Sequence, residues 1–587
     1  MLRRPLVTPP PRPGPLVTPP PRPGHDGGMT VTVASHELYA KHADTLTRAL
    51  FAIVERGYWS AYPESPSPRV YGESAAAQGE ADFRAYLGGD FPLDQPGVDG
   101  QVSTESSPFG VALDVRYPHS SPDALIEAAT AALPQWRDAG ADTRAGVCLE
   151  ILSRLHAHVF ELANAVQFTT GQAFVMAFQA GGAHALDRAL EAVAYAYAEQ
   201  TRHPSQARWE KPAGKGDPLV MTKTFHVVPR GVALVIGCNT FPTWNSYPGL
   251  FASLATGNPV IVKPHPSAVL PLAITVRYAR EVLAGAGFDP NLVLLAPEAA
   301  DERLASTLAV RPEVRIIDFT GSTAYGEWLE ANARQAVVYT EKAGVNTIIV
   351  DSTDDFAGMC RNIAFSLTLY SGQMCTTPQN ILVAREGIET ESGPKTFAEV
   401  AQGIAAAVAK LTGDDAKAVE LTGAIVSDAV AARIEAARDR GEILLDSRPV
   451  KHPAYPDAVI RTPLLLRVDG DAAAIDEEWF GPISFVVATD STVDSVELFE
   501  RIVRAKGALT AAVYSTSPDV LDEVERAALD VGVHLSANLT GAVFVNQSAA
   551  FSDFHASGAN AAANASLTDG AYVASRFRIV QSRRHTS

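Results

Sequence analysis

The sequence predicts an α/β fold with two doubly wound parallel-sheet domains and a small additional hairpin. Three observations predict this fold: a helical, alanine-rich region at about 105–200, a series of short buried strands that starts near residue 227, and a second such series from about 345. Strands that alternate with helix-like segments indicate parallel sheets covered by helices. We therefore expect one domain at 105–344 and another at 345–550.

The helical region shows apolar residues at helical spacing in Ala124–Trp136 and Ala180–Tyr197. The first series of strands consists of short apolar runs at Val232–Ile236, Val260–Val262, Leu292–Leu295, Val314–Ile317 and Val337–Tyr339. The second series begins with Thr347–Val350 and Ile381–Ala384, which flank a long amphipathic helix at about 354–371.

Both ends of the chain lie outside these two domains. Residues 1–28 contain two tandem copies of PLVTPPPRPG, and this much proline predicts a disordered tail. The segment 29–104 is predicted to be a helical or irregular extension. The last segment is 551–587, in which Ala571–Val580 is predicted to be a strand that pairs either across a subunit boundary or at an internal sheet edge.

The composition excludes several classes of partner. The 587 residues are 47% apolar and 19% charged, and the formal net charge is −18. Most of the surface would therefore repel nucleic-acid phosphates and anionic lipids. No apolar run approaches the roughly 18 residues that span a bilayer. We expect a small-molecule partner, no nucleic acid and no membrane.

No paired spacing of the kind found in zinc sites or redox dithiols occurs among the four cysteines, Cys148, Cys238, Cys360 and Cys375. We therefore expect no metal site and a reducing, cytoplasmic location.

Cys360 lies on the apolar stripe of the 354–371 helix, which predicts a buried packing residue. Cys375 follows Gly372, where that helix is expected to end, and lies on a turn before the next strand. Such loops between rigid elements commonly present reactive side chains.

Several motifs accompany Cys375 in a characteristic order. They are Gly257–Pro264 (GNPVIVKP), Phe319–Gly326 (FTGSTAYG), Glu341–Gly344 (EKAG), Gly372–Cys375 (GQMC) and Glu477–Pro482 (EEWFGP). This constellation resembles the aldehyde dehydrogenase family over roughly residues 105–580. The resemblance implies an aldehyde dehydrogenase-like fold and NAD(P)-dependent oxidation of an aldehyde to a carboxylic acid.

In that family a cysteine thiolate attacks the aldehyde carbon, a hydride leaves for the nicotinamide ring, and water hydrolyses the resulting thioester. Cys375 matches the nucleophile, and Glu341 matches the general base. Relatives that transfer the acyl group to coenzyme A generally lack this glutamate, so Glu341 favours release of a free acid. A coenzyme A-acylating dehydrogenase and a non-catalytic family member are the alternatives.

The oxyanion formed on the aldehyde oxygen needs donors that are already in place, and the family supplies an asparagine amide and the backbone N–H of the nucleophile. Two asparagines compete for this role. Asn245 follows Trp244, as in the family's usual Pro-Trp-Asn, whereas Asn239 precedes Thr-Phe-Pro with one inserted residue. Counting back from Lys263 favours Asn239, which leaves Asn245 as a helix-opening residue.

The resemblance also indicates the cofactor residues. The chain has no GxGxxG motif, and the family does not use one. Gly321 and Gly326 bracket a strand-to-helix turn, where Ser322 and the helix N-terminus would face the pyrophosphate. The other matches are Lys263 at the adenosine ribose, Glu478 at the nicotinamide ribose and Phe480 beside the nicotinamide ring.

The segment Lys263-Pro-His-Pro departs from the family pattern, because many NAD-using members have an acidic residue two or three positions after the lysine. Pro266 offers no side-chain acceptor to a ribose. Without a carboxylate, Lys263 or His265 would be available to a 2′-phosphate. The expected cofactor is therefore NADP or NAD, with NADP slightly favoured.

Three segments resemble the PaaN-type proteins of phenylacetic acid degradation: Tyr58–Pro68, Gly237–Asn245 and Phe551–Gly558. The resemblance implies a ring-opened semialdehyde, carried as a coenzyme A thioester, as the substrate. Phe551–Gly558 replaces the family's more usual glycine-rich segment near the substrate mouth. We assign no role to His555 from the sequence.

Family members are commonly homodimers or homotetramers. The segment at about 203–228 includes Val220–Val228, which alternates like a strand and resembles the family's oligomerisation hairpin. Together with the segment 551–587, it predicts a homo-oligomer.

Overall fold

The computed structural model describes residues 33–214, 216–299 and 301–585. The predicted proline-rich tail, residues 1–28, lies outside the described residues. Among the described helices, none combines the length and the apolar character needed to cross a bilayer.

The helices of the described chain are α1 (Val33–Glu55), α2 (Pro68–Tyr71), α3 (Ala75–Arg84), α4 (Pro122–Asp138), α5 (Gly140–Ala157), α6 (Val159–Thr170), α7 (Phe174–Phe178), α8 (Ala185–Thr201), α9 (Pro242–Ala255), α10 (Leu270–Gly285), α11 (Leu304–Ala309), α12 (Thr323–Asn332), α13 (Phe356–Thr368), α14 (Phe397–Thr412), α15 (Asp415–Ala418), α16 (Asp428–Ala437), α17 (Thr492–Lys506), α18 (Pro518–Val531) and α19 (Gly570–Ala574). A π-helical turn at Gln179–His184 joins α7 to α8.

The strands are β1 (Val98–Val102), β2 (Tyr117–Ser120), β3 (Gln206–Lys211), β4 (Leu219–Pro229), β5 (Val232–Ile236), β6 (Val260–Lys263), β7 (Val293–Leu295), β8 (Val314–Thr320), β9 (Val337–Glu341), β10 (Thr347–Val350), β11 (Ser352–Thr353), β12 (Asn380–Ala384), β13 (Glu389–Thr390), β14 (Glu442–Leu445), β15 (Pro449–Val450), β16 (Ile460–Arg461), β17 (Leu464–Asp469), β18 (Ile483–Thr489), β19 (Thr510–Tyr514), β20 (His534–Ala537) and β21 (Phe577–His585).

Two large sheets confirm the predicted α/β fold with parallel-sheet domains. The first has five strands in the order β7-β6-β5-β8-β9, and all of its neighbouring strands are parallel. The second has seven strands in the order β14-β17-β18-β12-β10-β19-β20, with β14 alone antiparallel to its neighbour. Every residue of β5 and β10 is buried, as expected for the central strands of sheets covered on both faces.

The parallel arrangement of the first sheet brings three functional positions to one edge. Lys263 ends β6, Thr320 ends β8 and Glu341 ends β9, and Thr320 is directly opposite Glu341 in the register. In open α/β sheets, ligands bind beyond the carboxyl ends of the strands. This edge therefore faces a ligand site.

The N-terminal extension is part of the core of the first domain. Leu46, Ala49 and Ile53 of α1 are buried in the same apolar cluster as residues of α5 and α8. The Tyr39 hydroxyl also bonds the Tyr197 hydroxyl at 2.9 Å. The extension therefore supports the helices that carry the site.

The C-terminal segment departs from its predicted secondary structure. Gly570–Ala574 forms a short helix, because the Asp569 carboxylate caps it by accepting the backbone N–H of Tyr572 at 2.7 Å. The strand begins only at Phe577 and pairs antiparallel with β4 of the same chain, while β4 pairs with β3 on its other side. Of the two predicted pairings, the described chain shows the internal one.

The helix expected at 354–371 also ends earlier than predicted, at Thr368. Tyr370 and Ser371 adopt left-handed backbone conformations, with φ of 52° and 50°. Tertiary hydrogen bonds hold this turn, since Ser371 Oγ donates to the carbonyl oxygens of Gly423 at 2.9 Å and Arg461 at 3.0 Å. Cys360 is buried in the core cluster that contains α13 and α14, as predicted.

A buried ion pair fastens the C-terminal segment to the first sheet. The Arg576 guanidinium donates to both carboxylate oxygens of Asp318 on β8, at 2.6 and 2.8 Å. The guanidinium also lies 4.1 Å from the ring centroid of Tyr572. Arg576 has no exposed surface.

Replacement of Arg576 by Met should lower stability by roughly 3–5 kcal/mol, because it leaves the Asp318 carboxylate buried without its counter-ion. Thermal unfolding followed by circular dichroism should show a clearly lower midpoint. The matched control is Arg578→Met, since Arg578 lies two positions along the same segment and is exposed. Equal midpoints for the two variants would contradict this account of the ion pair.

Candidate active site

Cys375 lies on a short loop between the turn that follows α13 and the start of β12, as the sequence predicts. The Asn346 side chain fixes this loop, because its Nδ2 donates to the carbonyl oxygens of Cys375 at 2.8 Å and Thr377 at 3.0 Å. Thr376 Oγ1 donates to the carbonyl oxygen of Asn546 at 2.8 Å. The nucleophile candidate is therefore fixed to the second sheet rather than carried on a free loop.

Gly372 allows this loop to approach the segment that follows Glu478. Its φ is 65°, and a Cβ atom there would lie 2.5 Å from the carbonyl oxygen of Gly481. Only glycine fits this position without displacing the neighbouring backbone. The Cys375 loop and the Glu478–Gly481 segment are thus held side by side.

Glu341 ends β9 and lies between three polar partners. His555 Nε2 is 3.0 Å from Glu341 Oε2, and Asn245 Nδ2 is 3.4 Å from each carboxylate oxygen. The third neighbour is Cys375, whose sulfur lies within 4.8 Å of a Glu341 carboxylate oxygen and of a His555 ring nitrogen. Glu341 is 1% exposed, so these groups replace water around it.

The electrostatics assign the proton of this pair to sulfur. Burial opposes the charge of Glu341, but the neighbouring His555 and the hydrogen bonds from His555, Cys375 and Asn245 together bring the pKa of Glu341 below its ordinary value. Burial raises the pKa of the Cys375 thiol, and the charge of Glu341 raises it further. In the resting site, the proton therefore resides on the Cys375 sulfur, beside an ionised Glu341 carboxylate.

Two cavities meet at Cys375. One has a volume of about 890 Å³ and extends over the carboxyl edge of the first sheet. The other has a volume of about 560 Å³ and extends towards the N-terminal extension. The residues that line both are Phe241, Asn245 and Cys375. The cysteine thus lies where two ligands that enter from different sides can meet.

The two candidate asparagines occupy different places. Asn239 lines the larger cavity together with Cys375, and its Oδ1 is buried without a hydrogen-bond partner among the described residues. Asn245 lies in the first turn of α9, and its amide is used by Glu341. The structure therefore brings both asparagines to the site, one with an unpartnered amide oxygen and the other bonded to Glu341.

The larger cavity suits a dinucleotide at the end predicted to bind the pyrophosphate. Gly321 and Ser322 line it at the N-terminus of α12, where helical N–H groups attract anions. A Cβ at Gly321 would lie 2.7 Å from the ring of Phe319, so the turn is closely packed. Gly326 is not among the lining residues; it lies within α12, where its missing side chain makes room for the Lys342 stem.

The predicted nicotinamide end of the same cavity is lined by Glu478 and Phe480. Arg433 Nη1 donates to the carbonyl oxygen of Phe480 at 2.6 Å and fixes this segment. Burial raises the pKa of Glu478 to about 7, although the positive charge of Arg433 acts to lower it. Glu478 can therefore exist near neutral pH either as a donor or as an acceptor.

Lys263 and His265 also line the larger cavity, but their surroundings differ from those expected from the sequence. Lys263 forms an ion pair with Glu298, which follows β7 and is largely buried. Burial and the charge of Lys263 lower the pKa of His265 to about 4, so this imidazole is neutral at neutral pH. Glu298 thus places a carboxylate beside Lys263 that the residues directly after Lys263 do not provide, and the cofactor roles of Lys263 and His265 stay predictions.

Sequence reasoning missed several residues of the site. Asn346, Glu298 and His555 act through contacts with residues that are far away in the sequence, and no local pattern marks them. The Phe551–Gly558 departure from the family pattern was the one available signal for His555.

Glu341, Cys375 and His555 place their ligand atoms within 4.8 Å of one another. The expectation of no metal site stays a prediction.

The geometry agrees with the comparisons with known proteins. A model of the aldehyde dehydrogenase family matches residues 117–571. The structure of an NAD-dependent aldehyde dehydrogenase from Burkholderia multivorans is 63% identical in sequence, with a TM-score of 0.92, and the match covers 94% of this chain and 99% of that one.

Two curated relatives are more distant. The N-succinylglutamate 5-semialdehyde dehydrogenase of Yersinia pseudotuberculosis serotype IB is 26% identical over 380 residues, which are 64% of this chain and 70% of the relative. The dimeric NADP-preferring aldehyde dehydrogenase of Rattus norvegicus is 26% identical over 309 residues, which are 51% of this chain and 61% of the relative.

The family match extends over most of the chain and includes both sheets and the Cys375–Glu341 pair. The fold and the site geometry, derived from the residues themselves, agree with this match. The chain therefore belongs to the aldehyde dehydrogenase family and is an oxidoreductase that acts on the aldehyde group.

Proposed function

We propose that this protein oxidises an aldehyde to a free carboxylic acid with NAD or NADP, through a thioester on Cys375. The observation that carries the proposal is that the Cys375 sulfur and the Glu341 carboxylate lie within 4.8 Å of each other, at the meeting point of two cavities. The larger cavity would hold the cofactor, and the smaller one would admit the aldehyde.

In the first step, the Cys375 sulfur bonds to the aldehyde carbon as the thiol releases its proton to water. Asn239 and the backbone N–H of Cys375 are proposed to donate to the oxygen that becomes negative. Asn239 lines the same cavity as Cys375, whereas the Asn245 amide nitrogen is already bonded to Glu341, and this supports the assignment. When bound, the nicotinamide supplies the hydride acceptor that converts the adduct on sulfur into a thioester.

In the second step, Glu341 accepts a proton from water as the water oxygen bonds to the thioester carbon. The carbon–sulfur bond then breaks, and the acid leaves. Glu341 can accept this proton only when it is ionised, and its lowered pKa favours the ionised form. An ionised Glu341 at the thioester favours hydrolysis over transfer to coenzyme A.

Replacement of Cys375 by Ala should abolish the absorbance rise of the reduced nicotinamide with every aldehyde, because it removes the sulfur to which the aldehyde carbon is proposed to bond. The matched control is Cys360→Ala, which should retain activity, since Cys360 is buried in the core of the second domain. In heavy-oxygen water the acid product should carry one label from the solvent. An acyl-coenzyme A product, formed only when coenzyme A is added, would instead establish the acylating alternative.

The finer proposal for the substrate is a ring-opened semialdehyde of aromatic degradation, carried as a coenzyme A thioester. The resemblance of three segments to PaaN-type proteins supports it, and all three contribute to the smaller cavity, through Trp59, Trp244 and His555 respectively. No Lys or Arg occurs among the described residues that line this cavity. We therefore place the acyl chain inside it and the coenzyme A phosphates outside.

For the cofactor, we propose that NAD is preferred and NADP is also accepted. Glu298 supplies, from the loop after β7, the carboxylate that Pro266 does not provide, and it forms an ion pair with Lys263. A carboxylate at the adenosine ribose accepts hydrogen bonds from its hydroxyls and repels a 2′-phosphate. Arg303 lines the same cavity and forms no ion pair with a described residue, which leaves a cation for the phosphate of NADP.

Replacement of Glu298 by Gln should raise the ratio of kcat/KM with NADP to kcat/KM with NAD by about tenfold, equivalent to roughly 1.4 kcal/mol, because it removes the repelling charge. The matched control is Glu302→Gln, since Glu302 also lines the cavity but pairs with His119 rather than Lys263. It should leave the ratio unchanged. Wild-type protein that uses NADP better than NAD would overturn this proposal.

The remaining expectations stay predictions. The sheet of β3, β4 and β21 exposes the apolar side chains of Leu219, Ile579 and Val580, which supports its use as a homodimer or homotetramer interface. The cytoplasmic location and the division into domains at residues 104, 344 and 550 are likewise predictions.

A further inference from the structure

His555 is a buried imidazole to which the reaction described above gives no role. It is 4% exposed, and its Nε2 is 3.0 Å from Glu341 Oε2. It stands on a segment with two unusual backbone positions, since Phe551 and Ala556 have φ of 66° and 59°. Residues other than glycine adopt such conformations only where the surroundings hold them, often at functional sites.

The surroundings hold His555 in place from several sides. The indole of Trp244 packs its edge against the imidazole, with ring centroids 4.6 Å apart. The Arg188 guanidinium lies 5.3 Å from the centroid of Trp244 and donates to the carbonyl oxygen of Asp553 at 3.0 Å. The backbone N–H of Leu567 donates to the carbonyl oxygen of His555 at 3.2 Å. The imidazole therefore has little freedom to leave Glu341.

The charged and titratable groups around Glu341 show what the imidazole can do there. His555 faces it from the C-terminal segment, and Cys375 faces it from the second domain, while Cys238 and Glu478 also act on this pair. The Cys375 thiol beside Glu341 must lose its proton during the reaction, whereas the hydrogen bonds from His555 and Asn245 do not depend on the state of the sulfur. The His555 bond is the shorter of these, at 3.0 Å against 3.4 Å.

We propose that His555 is a positioning residue for Glu341. Its Nε2–H donates to Oε2 and keeps the carboxylate ionised and turned towards sulfur while Cys375 passes from thiol to thioester. This inference rests on the proposed function for its effect on turnover. The coupling between His555 and Glu341 does not depend on which aldehyde is oxidised.

Loss of the donor should make Glu341 easier to protonate, because a hydrogen bond to the charged form of an acid favours that form. In His555→Leu, kcat should fall roughly tenfold at pH 6 relative to its value at pH 9, where the carboxylate is ionised in any case. The matched variant is His555→Gln, whose side-chain amide can place a donor near the Nε2 position. It should restore the wild-type pH profile.

A second readout needs no aldehyde. The charge of Glu341 raises the pKa of Cys375, so partial protonation of Glu341 in His555→Leu should speed the alkylation of Cys375 by iodoacetamide at pH 7. Peptide mass spectrometry would follow the Cys375 peptide separately from that of Cys238. In the Glu341→Gln background, His555→Leu should have no further effect on this rate.

The outcomes separate the two proposals. If the alkylation rates follow this pattern but no aldehyde is oxidised, the proposed function fails and the coupling stands. If His555→Leu and His555→Gln have the same pH profile, or if His555→Leu changes alkylation equally with and without Glu341, the proposal is overturned. A thermal midpoint for each variant would show whether an unfolded fraction contributes to the rates.

Discussion

The buried Glu341 carboxylate is the group on which the arrangement of the site depends. It belongs to the first sheet, yet its partners come from α9, from the second domain and from the C-terminal segment. A buried carboxylate is costly unless it is hydrogen-bonded. The three elements that satisfy it are therefore held together at the point where the chemistry takes place.

The need to hydrogen-bond this buried carboxylate explains several features of the fold that are distant from Cys375. Arg576 pairs with Asp318 and anchors the end of the chain on β8, next to β9. Arg188 ties the 548–568 region to α8, through Ser548, Asp553 and Thr568. Asn346 fixes the Cys375 loop on the second sheet. These bonds help to hold the partners of the Glu341 carboxylate in place. Each bond also satisfies a buried or partly buried polar group, whose burial without a hydrogen bond would destabilise the fold.

The sequence alone was informative where local patterns decide the structure. The fully buried strands Val232–Ile236 and Thr347–Val350 were predicted at their observed bounds, because an apolar run between helices has one stable place in a parallel sheet. The motifs likewise led to Cys375 and Glu341, which the structure brings into contact.

It was less informative where long-range contacts decide. The end of α13 depends on hydrogen bonds from Ser371 to Gly423 and Arg461, and Gly372, four residues after the helix ends, could not show this. Glu298 reaches Lys263 from the loop after β7, so the residues after Lys263 could not show that a carboxylate lies beside it. His555 similarly acquires its place only when the C-terminal segment folds back on β9.

The most direct test of the account is the intact mass of the Glu341→Gln variant after incubation with NAD and an aldehyde that the wild type oxidises. Without a base for the hydrolytic water, the account predicts that the protein gains the mass of one acyl group, and that peptide mapping places this group on Cys375. Continued turnover with no acyl adduct, or an adduct on Cys238 instead, would contradict the assignment of Glu341 and Cys375 as base and nucleophile.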